Sequence, residues 1–229
     1  MLAKNEVRLA RACYLTFRGM SVDAQDAFKK GGQIASEEVL VRYQDEFQKR
    51  IFSGYNNTAS EIIPYTFSEL GIGKKSSFQD IVRRHLEEES LKKAKMITDT
   101  SFGVMRKIIV EGHEKGVGTL QIAANIRSTF DFYSVSRSRT IARTEIHSAA
   151  THSMQDAAEE AAEQLDVQLG REWVTIEDDR TRDAHIDADE QKVGLDEPFY
   201  VDGEYIDVPG EGDAANAINC RCTVIYNPI

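Results

Sequence analysis

Proline is scarce in this chain. Four occur in 229 residues, and three of them follow residue 197. A proline inside a helix removes a hydrogen bond and clashes with the preceding turn. Their rarity therefore favours long helices over a loop-rich all-β fold. Apolar residues make up 41% of the chain and aromatics 8%, enough for an ordinary core, so wholesale disorder is excluded.

Apolar spacing places the helices. Val7, Ala10, Tyr14 and Phe17 recur at three- and four-residue intervals, predicting a helix over residues 3–18 that stops near Gly19. Ser21 caps the next one, whose stripe runs through Val22, Phe28, Ile34, Val39, Leu40, Tyr43, Phe47 and Ile51. Gly31 and Gly32 weaken that helix and bend it. Residues 53–76 carry Gly54, Asn56, Asn57, Pro64, Gly71 and Gly73 and read as loop, with one helical turn over residues 65–70. Ser76 to Gln79 offers a capping box for a helix over roughly residues 78–112, along which Ile81, Leu86, Leu91, Ile97, Met105 and Ile108 lie. Gly112, Gly116 and Gly118 break the chain. Thr119 then caps a short helix to Ile126, and Ser134 starts another long one to about Leu165.

After Leu169 the pattern changes. Residues 172–176, 199–201, 205–208 and 222–226 are short β-prone pieces between turn residues Gly194, Pro198, Gly203, Pro209, Gly210 and Gly212. The expected class is α+β: a mainly helical N-terminal region, then a small antiparallel β element packed on a long helix. The expected division is a helical region at residues 1–118 and a second domain at residues 119–229.

Charge divides in the same sense. Residues 1–140 hold 22 Lys+Arg against 17 Asp+Glu, a balance of +5; residues 141–229 hold 6 against 21, or −15, which together give the net −10. The acidic half repels nucleic acid, so any DNA contact belongs to the first half. No apolar run reaches the roughly 18 residues of a membrane span, and the first residues lack a secretory layout, so no membrane contact is expected. Three cysteines, Cys13, Cys220 and Cys222, are too few for a disulfide scaffold and point to a reduced compartment.

Three clusters carry chemistry. Arg139, Arg143 and Glu145 share a helix, either as a solvated charged face or as a buried bridge to the β element. Residues 178–185 pack Asp178, Asp179, Arg180, Arg182, Asp183 and His185 into one loop: either a capped turn, with Asp178 or Asp179 capping a short helix, or a site in which His185 serves as acid–base or ligand. Asn219-Cys220-Arg221-Cys222 enters the last strand, where residues two apart share a face. His185, Cys220 and Cys222 therefore offer three zinc ligands. C-x-C is not the usual zinc spacing, however, and the alternative is that both cysteines are small core hydrophobes. No cofactor is expected, with zinc on these three residues the exception left open. His147 and His152, five apart, do not make a ligand pair, and His85 and His113 read as solvated. Phosphate-cradling loops, nucleophile elbows and zinc-protease motifs are absent from the sequence.

In chain order, Ile141-Ala142-Arg143-Thr144-Glu145, then Trp173, then Asp179, Arg182 and His185 at D-x-x-R-x-x-H spacing, then Pro198-Phe199, Pro209-Gly210 and the closing Asn219-Cys220-Arg221-Cys222 resemble the phage Mu F-like head-morphogenesis family. The resemblance covers roughly residues 119–226. It implies a minor capsid protein present in few copies, made beside the portal protein and enclosed in the procapsid near it, with DNA binding or delivery ascribed to some relatives. Its motif positions fall on Arg143, Glu145, Trp173, Asp179, Arg182, His185, Asn219, Cys220, Arg221 and Cys222. Relatives place a glycine shortly after the histidine, as in D-G-Q. Here the residues are Asp189-Glu190-Gln191, which predicts a different turn.

The expected function is that of a non-enzymatic minor head protein of a tailed bacteriophage, resident in the capsid interior and in the host cytoplasm before assembly. Its partners are the portal protein, then scaffold or major capsid protein, and double-stranded DNA through a helical arm at residues 1–118. The competing reading is an ADP-ribosyltransferase-like enzyme carried in the head, for which Glu145 would be the catalytic carboxylate despite its mid-helix position. On the structural reading Trp173 anchors helix to strand, Arg143 and Arg182 satisfy Glu145 or Asp179, and His185 reaches the N-C-R-C segment.

Overall fold

Glycine decides the first long element. Helix α1 spans Leu2–Glu69 and is interrupted only at Gly32, whose backbone (φ 67, ψ −149) is neither helical nor open to an L side chain at low cost. The predicted bend at Gly31–Gly32 is thus a reversal. The rings of Phe17 and Phe47, each fifteen residues from Gly32, face each other with centroids 4.7 Å apart. The computed structural model describes residues 2–72 and 78–229, and of residues 78–85 the backbone alone. The capping turn expected at Ser76–Gln79 and the side chains of Ile81 and His85 lie outside the described residues.

Two predicted breaks in α1 are absent. The helix does not stop at Gly19, whose missing side chain leaves room for the Tyr43 ring: a Cβ there would lie 2.7 Å from the Tyr43 hydroxyl. Nor is the chain loop after residue 53. Tyr55, Thr58, Ala59, Ile62, Ile63 and Phe67 are buried, and burial at helical spacing outweighs the Asn56, Asn57 and Pro64 that favour a break locally. Helix α2 spans Phe78–Glu114 and α3 Thr119–Leu165. The predicted division of α3 near residues 126–134 does not occur. Phe130 is buried, and the Ser134 hydroxyl folds back onto the Asp131 carbonyl at 2.8 Å instead of capping a new helix.

The described chain forms two compact units: one of residues 6–54 and 85–142, the other of residues up to Asn5, 55–84 and 143–229. The division runs through α1, α2 and α3. The first unit is all helical. Leu9, Phe17, Met20, Leu40, Phe47, Met105, Ile109, Ile122 and Ile126 fill its core. Arg137 lies over the Phe17 ring at 5.0 Å while donating to the Ile97 carbonyl at 2.8 Å.

The second unit gives the α+β class. Strand β1 (Leu169–Val174) is central in the antiparallel order β2-β1-β5, with β2 at Lys192–Gly194 and β5 at Thr223–Pro228. Arg171 lies opposite Val193 and Tyr226, and Trp173 opposite Val224. Strands β3 (Phe199–Val201) and β4 (Glu204–Ile206) form a separate hairpin. Strand β2 had no alternating apolar signal and was not legible in advance. Helices α4 (Asp183–Asp187) and α5 (Ala214–Ala217) are short. Small residues on α3, namely Ala149, Ala150, Ser153, Ala157, Ala158 and Ala161, are buried, and the same helix meets the loops of the β layer. The chain is held there by Thr151 Oγ1 donating to Pro209 O (2.8 Å) and Gln155 Nε2 to Leu195 O (3.0 Å).

Candidate functional site

Alternation along β1 sets the site. Residues two apart share a face, so Arg171, Trp173 and, just past the strand, Thr175 point the same way, and all three are buried. Trp173 meets Phe199 edge-on at 5.3 Å and His185 at 5.8 Å. Its buried cluster comprises Ala188, Phe199, Val201, Ile206, Cys220, Cys222 and Val224, all from the β layer and its loops. Trp173 thus packs within the β layer and against α4. The side chain of β1 that hydrogen-bonds to α3 is Arg171, which the sequence did not single out.

Arg171 is 2% exposed. Its guanidinium donates to Gln155 Oε1 (2.9 Å) on α3 and to the carbonyls of Asp207 (2.7 Å), Glu197 (2.5 Å) and Gly194 (3.3 Å), and it lies 5.0 Å over the Phe199 ring. Burial lowers its pKa, opposed by nearby Tyr226 and carboxylates. An arginine on the buried face of a strand pattern was the signal that could have found it.

The Trp173 indole donates to Thr175 Oγ1 (3.1 Å), and that hydroxyl donates to His185 O (2.8 Å) and lies 3.7 Å from Cys222 Sγ. His185, 2% exposed on α4, turns Nδ1 to Cys222 Sγ at 3.3 Å and Cys220 Sγ at 3.8 Å. Both thiols are buried and no disulfide joins them. A hydrogen bond from the Cys220 thiol lowers the Cys222 pKa against desolvation, helped by His185 and Thr175; Cys220 is correspondingly raised.

Backbone geometry delivers these cysteines. Asp213 caps α5 by accepting from Ala215 N (2.8 Å) and Asn216 N (3.0 Å). Asn219 then takes φ 57, a left-handed conformation that asparagine tolerates better than most residues. Its amide donates to Thr144 Oγ1 on α3 (3.1 Å), and its side chain accepts from Arg143 (3.4 Å). Arg143 is exposed and pairs with Asn219, in place of the expected Glu145 or Asp179. Arg221, between the cysteines, turns the other way and grips Asp178 through both oxygens at 2.5 Å, which holds the Asp178 carboxyl well below its usual range.

Several motif residues are thereby reassigned. Asp179 is exposed, and Asp178 is the carboxylate that bridges to the N-C-R-C segment. Neither aspartate caps α4, whose N-cap is Arg182 without a side-chain cap bond. Arg182 donates instead to the Ile218 carbonyl. Glu145 is 6% exposed and stands apart from this cluster, accepting a hydrogen bond from the Tyr55 hydroxyl of α1. Glu190, in the middle of the D-E-Q segment, adopts φ 61, in the left-handed region that favours glycine. That turn returns the chain to β1 through Glu190 N to Trp173 O and Trp173 N to Gln191 O, each 2.9 Å.

A helix-backed antiparallel β module, drawn together by one buried arginine and one histidine–dithiol cluster, is the class these features define. The chain belongs to the family of Phage Mu protein F like proteins, whose model matches residues 104–225. It is 27% identical over 208 residues to the minor head protein GP7 of Bacillus phage SPP1, a match covering 88% of this chain and 66% of that protein. It is also 32% identical over 118 residues to an NAD(+)–arginine ADP-ribosyltransferase, EFV, of Enterococcus faecalis, covering 51% of this chain and 24% of that enzyme. The chain thus spans less than two thirds of the length of either relative. No solved structure matches it significantly.

Proposed function

We propose that this chain is a minor head protein of a tailed bacteriophage, a structural component acting in procapsid assembly or DNA delivery beside the portal. The observation that carries this reading is the similarity to the SPP1 head protein over 88% of the chain, which takes in the helical region as well as the β module. The site supports a structural role. Arg171, Asp178, Arg221 and Thr175 spend their hydrogen bonds joining β strands, loops and α3 to one another. Glu145, the carboxylate an ADP-ribosyltransferase reading would need, is buried mid-helix and accepts a hydrogen bond from the Tyr55 hydroxyl, which favours the structural reading.

The partners are the portal protein first, then scaffold or major capsid protein, in the capsid interior, with assembly starting in the host cytoplasm. DNA contact runs through the basic-leaning helical residues 1–118, is weak, and falls with salt. No helix among the described residues is long and apolar enough to cross a membrane.

The test is co-expression with the portal and shell proteins of the same phage. Purified heads are expected to contain a few copies per portal, counted by quantitative mass spectrometry, with density on the inner face near the portal. Heads that assemble and package normally without the chain, and exclude it when present, overturn the proposal. The competing enzymatic reading draws on the ADP-ribosyltransferase relative; release of nicotinamide from NAD by the purified chain, abolished in Glu145→Gln, would establish it instead.

A further inference from the structure

We propose that His185, Cys220 and Cys222 form a zinc site with three protein ligands, completed by a water or another small ligand in the adjoining cavity. This stands apart from the head-assembly role. The residues come from two places in the chain, α4 and the segment entering β5, and their ligand atoms lie within 4.8 Å of one another. Zinc bonds of about 2.3 Å to sulfur and about 2.0–2.1 Å to nitrogen, set tetrahedrally, require N···S edges of roughly 3.6 Å. The two measured N···S distances, 3.3 and 3.8 Å, straddle that value. Both N···S edges therefore match a zinc site to within a few tenths of an ångström.

Two further observations favour an ion over a plain core contact. The first is the state of His185. Nε2 is buried with no hydrogen-bond partner, and Nδ1 faces two sulfurs, which are weak hydrogen-bond partners. A cation before Nδ1 gives that nitrogen one strong partner in place of two weak ones. The second is the space beside it. The three ligands and Thr181, Arg182 and Asn219 are among the residues lining a cavity of about 10 Å³, room for a single water-sized ligand. Two sulfurs and one imidazole select zinc or another thiophilic metal over magnesium or calcium. On binding, each thiol still protonated releases its proton to solvent, so two thiolates balance the dication.

The test uses the full chain purified under reducing conditions. About one zinc per chain by elemental mass spectrometry is expected, falling below ~0.2 in Cys220→Ser, Cys222→Ser and His185→Gln and unchanged in Cys13→Ala. Because the site variants can unfold the module, the wild-type chain is also stripped with a chelator and reloaded. Zinc is expected to raise its melting temperature by several degrees and to protect two of three thiols from alkylation. Cobalt(II) is expected to give thiolate charge-transfer and tetrahedral d–d absorption. The proposal is overturned if the purified chain lacks zinc and added zinc or cobalt produces neither a melting shift nor those bands. A Cys220–Cys222 disulfide in freshly isolated protein would also overturn it.

Discussion

Replacing Arg171 with methionine tests the main tie between sheet and helix. Methionine keeps a long apolar stem against Phe199, so the change isolates the polar loss. Four acceptors are abandoned: Gln155 Oε1 and the carbonyls of Gly194, Glu197 and Asp207. A hydrogen bond from a charged donor contributes about 1.5–3 kcal/mol. Glu197 and Asp207 are exposed and Gly194 only half-buried, so water can replace the arginine at those three carbonyls. The loss not recovered in this way, at the buried Gln155, comes to roughly 1.5–3 kcal/mol. Against this, the variant no longer buries a guanidinium, whose desolvation already lowers the Arg171 pKa. The net expectation is a loss of about 1–2 kcal/mol. At about 2–4 °C per kcal/mol, melting falls by roughly 2–8 °C. Trp173 is the sole tryptophan and lies two residues away, so its fluorescence reports this unit and not the helical one. Lysine at 171 is expected to recover less than half the loss, because a point charge cannot reach acceptors on α3, β2 and the β4 exit together. A methionine variant within about 0.5 kcal/mol of wild type, at unchanged urea m-value, would refute the assignment of Arg171 as that tie.

Three other perturbations have definite signs. Glu190→Gly removes a side chain from a φ of 61 and should stabilise the β module by about 0.5–1 kcal/mol, read from the Trp173 urea midpoint. Gly32→Ala forces a Cβ into the reversal of α1 and should cost about 1–3 kcal/mol by far-UV circular dichroism, with loss of the hairpin pairing of Phe17 and Phe47. Burial, then the hydrogen bond to Asp23, raises the Tyr43 phenol from 10.0 to about 12. Between those values the unfolded chain has lost a proton that the folded chain keeps, so this contribution to stability is full below pH 10.0 and is lost as pH rises towards 12. Tyr43→Phe should therefore lose less stability than wild type over that interval in urea titrations.

The α+β class was legible because it rests on local signals: helical spacing through Phe17, Phe47 and Ile126, and turn residues clustered after Leu169. What sequence reading lost was the length of helix. Asn56, Asn57 and Pro64 disfavour helix locally, yet Ile62, Ile63 and Phe67 are buried at helical spacing, a tertiary benefit invisible to a local window. At the site, the pairing of His185 with the cysteines could be stated because the number of candidate ligands was small. The carboxylate partner could not. Asp178 and Asp179 are adjacent and chemically identical, and only the register after β1 decides that Asp178 meets Arg221. Arg171 was missed because a charged residue within an apolar–polar alternation reads as solvent-facing until the face is known.

One strand face thus serves three attachments. Arg171 reaches α3, Trp173 packs against the β3–β4 hairpin, and Thr175 ties α4 to the cysteine segment. If that alternation organises the module, its smallest polar member should matter more than its size suggests. Thr175→Val keeps the shape and removes only the hydroxyl, leaving the Trp173 indole N–H and the His185 carbonyl without a partner in a buried setting. Stranding two buried groups costs about 1–3 kcal/mol each before relaxation, so a loss of roughly 2–4 kcal/mol is expected. Thr175→Ser keeps the hydroxyl and loses one methyl, a change of about 1 kcal/mol. The ordering wild type, then serine, then valine is the signature of a hydrogen-bonding role. The reverse ordering, with valine as stable as wild type and serine weaker, would mean that Thr175 acts only as packing and that α4 is held by Trp173 and the His185–cysteine contacts alone.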